Sequence, residues 1–275
     1  MVVSIALLFL LPGNLDAPRP LLSPGLIRFK QADRDALREH LETDDEEKKH
    51  GAQGMHIPLS LVWQTVKHYR RWASFVSTFA VFSTWSSLTT YTPTIIMTLG
   101  FSRVPANALA SVGGFLSLVV VFFFAWLSDK TNKRGMAVII AQICYLVILI
   151  VTREVHSSVG KWSRWGLWTT INAFAIGYHP VHNSWVQLNC KDPRERSISI
   201  AMWVMSAISG LMVGTQYYRA DDLPFYNKGL KIQIIVVAIG MFFAILQELV
   251  YVLYNRRVLR KWKEEGGARP WLYTP

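Results

Sequence analysis

His179 and His182 stand three residues apart. Asn183 follows at once, Gln187 comes four residues later, and Asn172 lies seven residues before His179. On a helix these spacings return to one side. Residues 165–190 around them contain no charged group. Amides and imidazoles exchange hydrogen bonds without a fixed charge, so the chemistry they suit is recognition of a polar solute. Such groups are costly in apolar surroundings and face a bundle interior or a water-filled path. Two readings stay open: the stripe lines or gates a path for a solute, or it ties neighbouring helices together. Pro180 sits within the stripe, where a missing backbone hydrogen bond weakens a helix and suits gating. His179 and His182 also form an H-x-x-H pair that could share a metal. No acidic or cysteine partner lies nearby in sequence, so neither a metal nor any other cofactor is expected.

A second polar group spans Ser83, Thr84, Ser86, Ser87, Thr89, Thr90 and Tyr91, with Trp85 among them and Pro93 just after. Trp85 is either a cavity wall or an interfacial anchor, and Tyr91 shares the face of Ser83 and Ser87. Hydroxyls also bond back to their own helix, so they mark a cavity only weakly. Ser206, Gly210 and Gly214 recur at spacing four, and small residues let helix backbones approach. The sequence contains no nucleophile elbow, phosphate-binding loop or paired acids in an apolar stretch, so no enzyme is expected.

The elements that must position these residues follow from the charge pattern. Six stretches lack charge: 72–102, 104–128, 135–152, 165–190, 197–218 and 232–247, the last running past Glu248 to Tyr254. Crossing the hydrocarbon core takes about 20 mostly apolar residues. Soluble helices of this length carry charge on one face. The pattern predicts an all-α membrane protein with six spans, in contact with the lipid bilayer. The third and sixth stretches are poor in polar residues and read as outer helices. Glu248 is expected to reach the interface or to pair with Arg256 or Arg257.

The net charge of +11 could suggest nucleic acid. Its distribution excludes that partner: 22 of the 29 Lys/Arg fall before the first stretch, in 129–134 and 191–196, and after the last stretch. Such an excess marks the cytoplasmic side and puts both ends of the six-helix block there. Cys144 and Cys190 form no disulfide framework in that compartment.

Residues 1–11 are apolar and are followed by Pro12 and Gly13. They read either as a signal peptide or as the last half of a membrane helix. Residues 30–49 form a charged helix candidate. Over 57–71, Leu59, Val62, Trp63 and Val66 recur at helical spacing, which fits an amphipathic interfacial helix or an early start of the first span.

Ala125-Trp126-Leu127-Ser128-Asp129-Lys130-Thr131-Asn132-Lys133-Arg134 resembles the signature loop of the major facilitator superfamily, with Ala125 and Asn132 replacing its two glycines. The stretch from Tyr218 through Arg219, Ala220, Asp221, Asp222, Pro224 and Tyr226 to Gly229 is similar to one in the fungal anion:cation symporters, the allantoate permease family. Asn189 to Ser197 and Phe9 to Gly13 are similar to the same group. The resemblance implies the six-helix C-terminal half of a twelve-helix transporter. Residues 1–12 would be a remnant of helix six, 13–71 the central cytoplasmic loop with its amphipathic helix, 72–254 the bundle and 255–275 a cytoplasmic tail. It implies proton symport of a small organic anion across the plasma membrane, with the N-terminal half as the missing partner. His179, His182, Asn183, Asn172, Trp85 and Tyr91 would then contact substrate, while Asp129, Lys130, Arg134 and Pro180 would serve gating. The competing reading is a non-transporting membrane protein, either inert or partner-binding.

Overall fold

The computed structural model describes residues 31–44, 57–266 and 270–275. The remnant of helix six and most of the region read as a central loop lie outside the described residues. Two units separate, one ending at His56 and the other starting at Ile57. The first contributes α1, Gln31–Asp44, with Asp33 in its first turn. That acidic residue suits the positive end of the helix dipole.

The second unit is helical, with no strand among its described residues. Helix α2, Leu59–Val66, leaves Leu59 and Trp63 exposed, and a 3₁₀ turn at Tyr69–Arg71 leads into α3, Trp72–Thr98. There follow α4, Arg103–Thr131; α5, Arg134–Val155; α6, Lys161–Ala175; α7, His179–Leu188; α8, Pro193–Gly214; and α9, Asn227–Glu265. Helices α4, α5, α8 and α9 are long and apolar enough to cross a membrane by length and composition. Helix α3 has 27 residues, about 40 Å, but is rich in hydroxyls. The stretch 165–190 is split between α6 and α7 by 176–178.

That split corrects the place of the expected kink. Pro180 does not bend a continuous helix. It is the second residue of α7, where a missing N–H costs nothing because no partner exists for it in the first turn,. The break comes at Gly177, whose missing Cβ leaves room for Val120 of α4.

Helix α3 is the centre of the bundle and packs against α4, α6, α8 and α9. Its hydroxyls serve that packing. Ser83, Thr84 and Ser87 are buried and donate to carbonyls three residues back. Tyr217 donates to Ser83 Oγ at 2.7 Å, and Gln233 of α9 donates to Ser87 Oγ at 2.6 Å. Against α8 the contact is closest: Cβ atoms at Gly210 and Gly214 would collide with the carbonyls of Phe79 and Ser83.

Helix α5 departs from a purely outer helix. Met136, Ile140, Ile143, Val147 and Ile150 face outward, while Val138, Ala141, Gln142, Tyr145 and Leu149 are buried. Gln142 donates to Ser77 of α3 at 3.2 Å. Of the two expectations for Glu248, the pairing is not found: it forms no ion pair with Arg256 or Arg257 among the described residues. Its carboxylate rests against Gly135 at the start of α5, and glycine is the residue that leaves room for it.

The symporter-like stretch forms a clasp at the opposite end of the bundle. Asp222 accepts from Gly229 N at 2.8 Å and so caps the first turn of α9, and Lys228 pairs with Asp221. His156 Nε2 lies 2.8 Å from the carbonyl of Phe225. Tyr218 is buried against Tyr226, Tyr91 and Trp168.

Candidate functional site

A cleft of about 430 Å³ opens between α3, α4 and α6. One wall is Trp85, Thr89, Thr92 and Pro93 of α3. The facing wall on α4 is Asn107, Ala110, Ser111, Gly114 and Ser117, and Asn172 and Ile176 close the back. Small residues at every third or fourth position of α4 keep this wall low. Gly114 has open space at the position of a Cβ, whereas Gly113, one residue before it, packs against Asn172. The lining joins one indole to a few amides and hydroxyls. That combination suits a small planar or polar solute more than a lipid tail.

The stripe read along 172–187 is divided in three. Asn172 lies in the cleft, where its amide nitrogen donates to Thr92 Oγ1 and Trp168 O, both at 2.9 Å. His179 and His182 turn the other way, into the bundle. His179 stacks on Phe82 at 4.1 Å between ring centroids, with Trp85 edge-on at 6.0 Å. Neither of its ring nitrogens has a hydrogen-bond partner among the described residues, although the ring is buried. His182 Nδ1 lies 3.3 Å from Thr78 Oγ1, and its Nε2 has no hydrogen-bond partner among the described residues. Asn183 is half-buried and accepts from Gln187 at 3.2 Å. Among the described residues no group of three His, Cys, Asp or Glu lies together to hold a metal.

Trp85 joins the two regions, with one face in the cleft and its edge against Phe82 and His179. Tyr91 is engaged elsewhere: its hydroxyl donates to the carbonyl of Thr215 at 3.0 Å, tying α3 to the end of α8. Asn107 and Ser111 are cleft residues that sequence reasoning missed. Their signal was present, since they share a face of α4 with Gly114 and Ser117.

The loop 129–134 lies at the bundle end where α7 finishes and α8 begins. Arg134 reaches Asp129 at 3.4 Å and donates to Ser184 of α7 at 2.7 Å. Lys130 stands over the Trp126 ring at 4.7 Å. At the same end lies a buried cluster that the sequence reading did not anticipate. Arg71 pairs with Glu195 at 2.8 Å and donates to Asn189 O at 2.8 Å and Ser199 Oγ at 3.2 Å. It joins the entry of α3 to the start of α8.

Comparison with known proteins identifies the class. The Major Facilitator Superfamily profile matches residues 2–215. The chain belongs to that superfamily; it is an integral membrane protein and not an enzyme. An uncharacterised transporter of Saccharomyces cerevisiae is 25% identical over 220 residues, which cover 80% of this chain and 40% of that protein. The high-affinity nicotinic acid transporter of the same yeast is 26% identical over 214 residues, 76% of this chain and 39% of that protein. A shorter uncharacterised yeast transporter is 25% identical over 178 residues, 64% of this chain and 81% of that protein. The chain thus spans about two-fifths of the length of the first and the nicotinic acid transporter. No solved structure matches.

Proposed function

We propose that the chain acts as the C-terminal, six-helix half of a transporter for a small organic anion of the allantoate, pantothenate or nicotinate kind, working by proton symport at the plasma membrane. In this reading α6 and α7 make one broken crossing, so that α3, α4, α5, α6–α7, α8 and α9 cross six times. The observation that carries it is the cleft between α3, α4 and α6, walled by Trp85 and Asn172 and facing away from the bundle core. A second six-helix half set against that face would enclose a binding site between the two halves, which rock to alternate access. Trp85 and Asn172 are assigned contact with the solute. His179, with Phe82, backs Trp85 from inside the bundle. Asp129, Lys130, Arg134 and the joint before Pro180 are assigned to gating, through the Arg134–Ser184 contact. His182, Asn183 and Tyr91 have a weaker claim to the solute, since their nearest polar partners belong to the fold.

The adjacent glycines of α4 provide the test. In cells that also supply the N-terminal half, Gly114→Leu should fill the cleft, with nothing near its Cβ position to clash, and abolish uptake of labelled nicotinate and related anions at normal protein abundance. Gly113→Leu should lower abundance itself, because its side chain would meet Asn172,. Full uptake by Gly114→Leu would remove the cleft from the transport path.

The orientation follows from the Lys/Arg distribution. In a chain lacking Cys144 and Cys190, a cysteine at Asn227 should react with an impermeant thiol reagent from outside intact cells. One at Lys261 should not. The reverse pattern would invert the topology.

A further inference from the structure

Residues 270–275 fold back onto the bundle end that carries the loop 129–134. Two asparagine side chains hold them as a neighbouring strand would. Asn255 of α9 donates to the carbonyl of Tyr273 at 2.7 Å and accepts from its N–H at 2.9 Å. Asn189, one residue past α7, does the same with Thr274, at 3.0 Å and 2.7 Å. Trp185 Nε1 adds a second bond to the Thr274 carbonyl at 2.9 Å. Between the clamps the Tyr273 ring is buried, stacked on Tyr251 at 4.3 Å and flanked by Tyr254 and Trp271. Asn189 also gives its own carbonyl to Arg71. One short segment therefore ties together the end of α7, the far part of α9 and, through Asn189, the entry of α3.

Helix α7 is the element with most to gain from such a tie. It is ten residues long and is separated from α6 by the break at 176–178. A short helix on a joint can pivot to the extent that its far end is loosely held. The far end here is held by the four-residue connection to α8, by Arg71 on the Asn189 carbonyl, and, through Trp185 and Asn189, by a segment from the other end of the described chain.

We propose that residues 270–275 are a releasable strap: docked, they hold α7 against α9, and released, they let α7 pivot about 176–178. The bonding favours release as a unit. Five hydrogen bonds, the Tyr273 ring contacts, the Tyr273 hydroxyl 3.5 Å from His68 Nε2 and Lys191 over the Trp271 ring all fall within residues 271–274, and local openings of such short segments cost far less than global unfolding. Resting on the transport reading, the strap would set how readily the gate beside Ser184 opens.

Cys190 reports the proposed pivot: it is buried beside Asn189 with its thiol on the Val186 carbonyl at 3.4 Å, so it becomes accessible when the end of α7 moves. In a Cys144→Ala chain in unsealed membranes, maleimide should modify Cys190 slowly. Ending the chain at Gly266 removes five hydrogen bonds, each worth roughly 1 kcal/mol net, and Tyr273→Ala removes the buried stacked ring; each should speed that reaction by about ten-fold or more. Tyr273→Phe keeps the stack and should stay near the original rate. A cysteine at Thr170 on α6, before the joint, should react equally fast in all these chains. Unchanged Cys190 rates in the shortened chain and in Tyr273→Ala would overturn the strap. Equal acceleration at Thr170 would mean general loosening and would overturn the pivot. Circular dichroism and gel filtration select folded samples, and Tyr273→Ala decides if the shortened chain aggregates. Absence of uptake when the unaltered chain is supplied with its N-terminal half, with this labelling pattern intact, would sink the transport reading and leave the strap standing.

Discussion

Arg71→Met is expected to destabilise the protein by about 3–5 kcal/mol, the range for breaking a buried ion pair from one side. The Arg71 and Glu195 side chains are 3% and 15% exposed, and the guanidinium also serves Asn189 O and Ser199 Oγ. Methionine fills much of the same space but leaves the Glu195 carboxylate without its charge partner and the Asn189 carbonyl without its donor. The measurement is thermal unfolding in detergent, followed by loss of the monodisperse fraction. Adding Glu195→Gln to Arg71→Met should recover part of the loss, because the stranded charge is gone. A loss below about 1 kcal/mol, the value of an exposed pair, would show that water reaches the cluster and that it does not organise this end of the bundle.

Nothing in the local sequence of Arg71 announced that role. It reads as one of three basic residues after an amphipathic turn, alongside Lys67 and Arg70. Its partners are more than 100 positions away. The six apolar stretches were legible because the absence of charge over about 20 residues is a local property with one physical cause. The break between α6 and α7 was legible only in part. Pro180 drew attention, yet proline is tolerated in a first helical turn, and Gly177 was the better signal because α4 passes close to it,. The polar stripe was misleading for a similar reason. Spacing along 172–187 assumed one continuous helix; once the chain bends at 176–178, Asn172 and His179 face different neighbours. Hydroxyls in α3 pointed to a cavity, but most bond within the bundle, while Thr89 and Thr92 on the same helix reach the cleft. The symporter-like stretch was the most specific resemblance, and its residues build a clasp that packs beside the cleft, through Tyr218 on Tyr91 and Trp168, without lining it. Motif specificity and a place in the lining are separate properties. The strap could not be read at all, since one clamp, Asn189, lies 85 positions away and its own residues read as a tail.

Gly214→Ala should be the most damaging single methyl group in the bundle. Lipid is as apolar as a leucine side chain, so helices in a membrane gain little from hiding apolar surface and hold together through close packing and hydrogen bonds. Closeness is greatest where α8 crosses α3. There a Cβ on Gly214 would meet the Ser83 carbonyl, and one on Gly210 the Phe79 carbonyl. The obstructing atoms are backbone, so no rotamer change can relieve them, and the two helices must separate. Separation would also stretch the bond from Tyr217 to Ser83 and loosen the contact of Tyr91 with Thr215, which close the same seam. Overpacking costs about 1–3 kcal/mol where side chains can adjust; here the upper end or more is expected, with a fall in both abundance and unfolding temperature. Gly166→Ala on α6 is the matched control, because nothing lies within 4 Å of its Cβ position. It should be neutral or slightly stabilising, as alanine favours the helix by up to about 1 kcal/mol. Equal behaviour of the two variants would mean that α3 and α8 stand further apart than the structure places them, and the small-residue face of α8 would then need another partner.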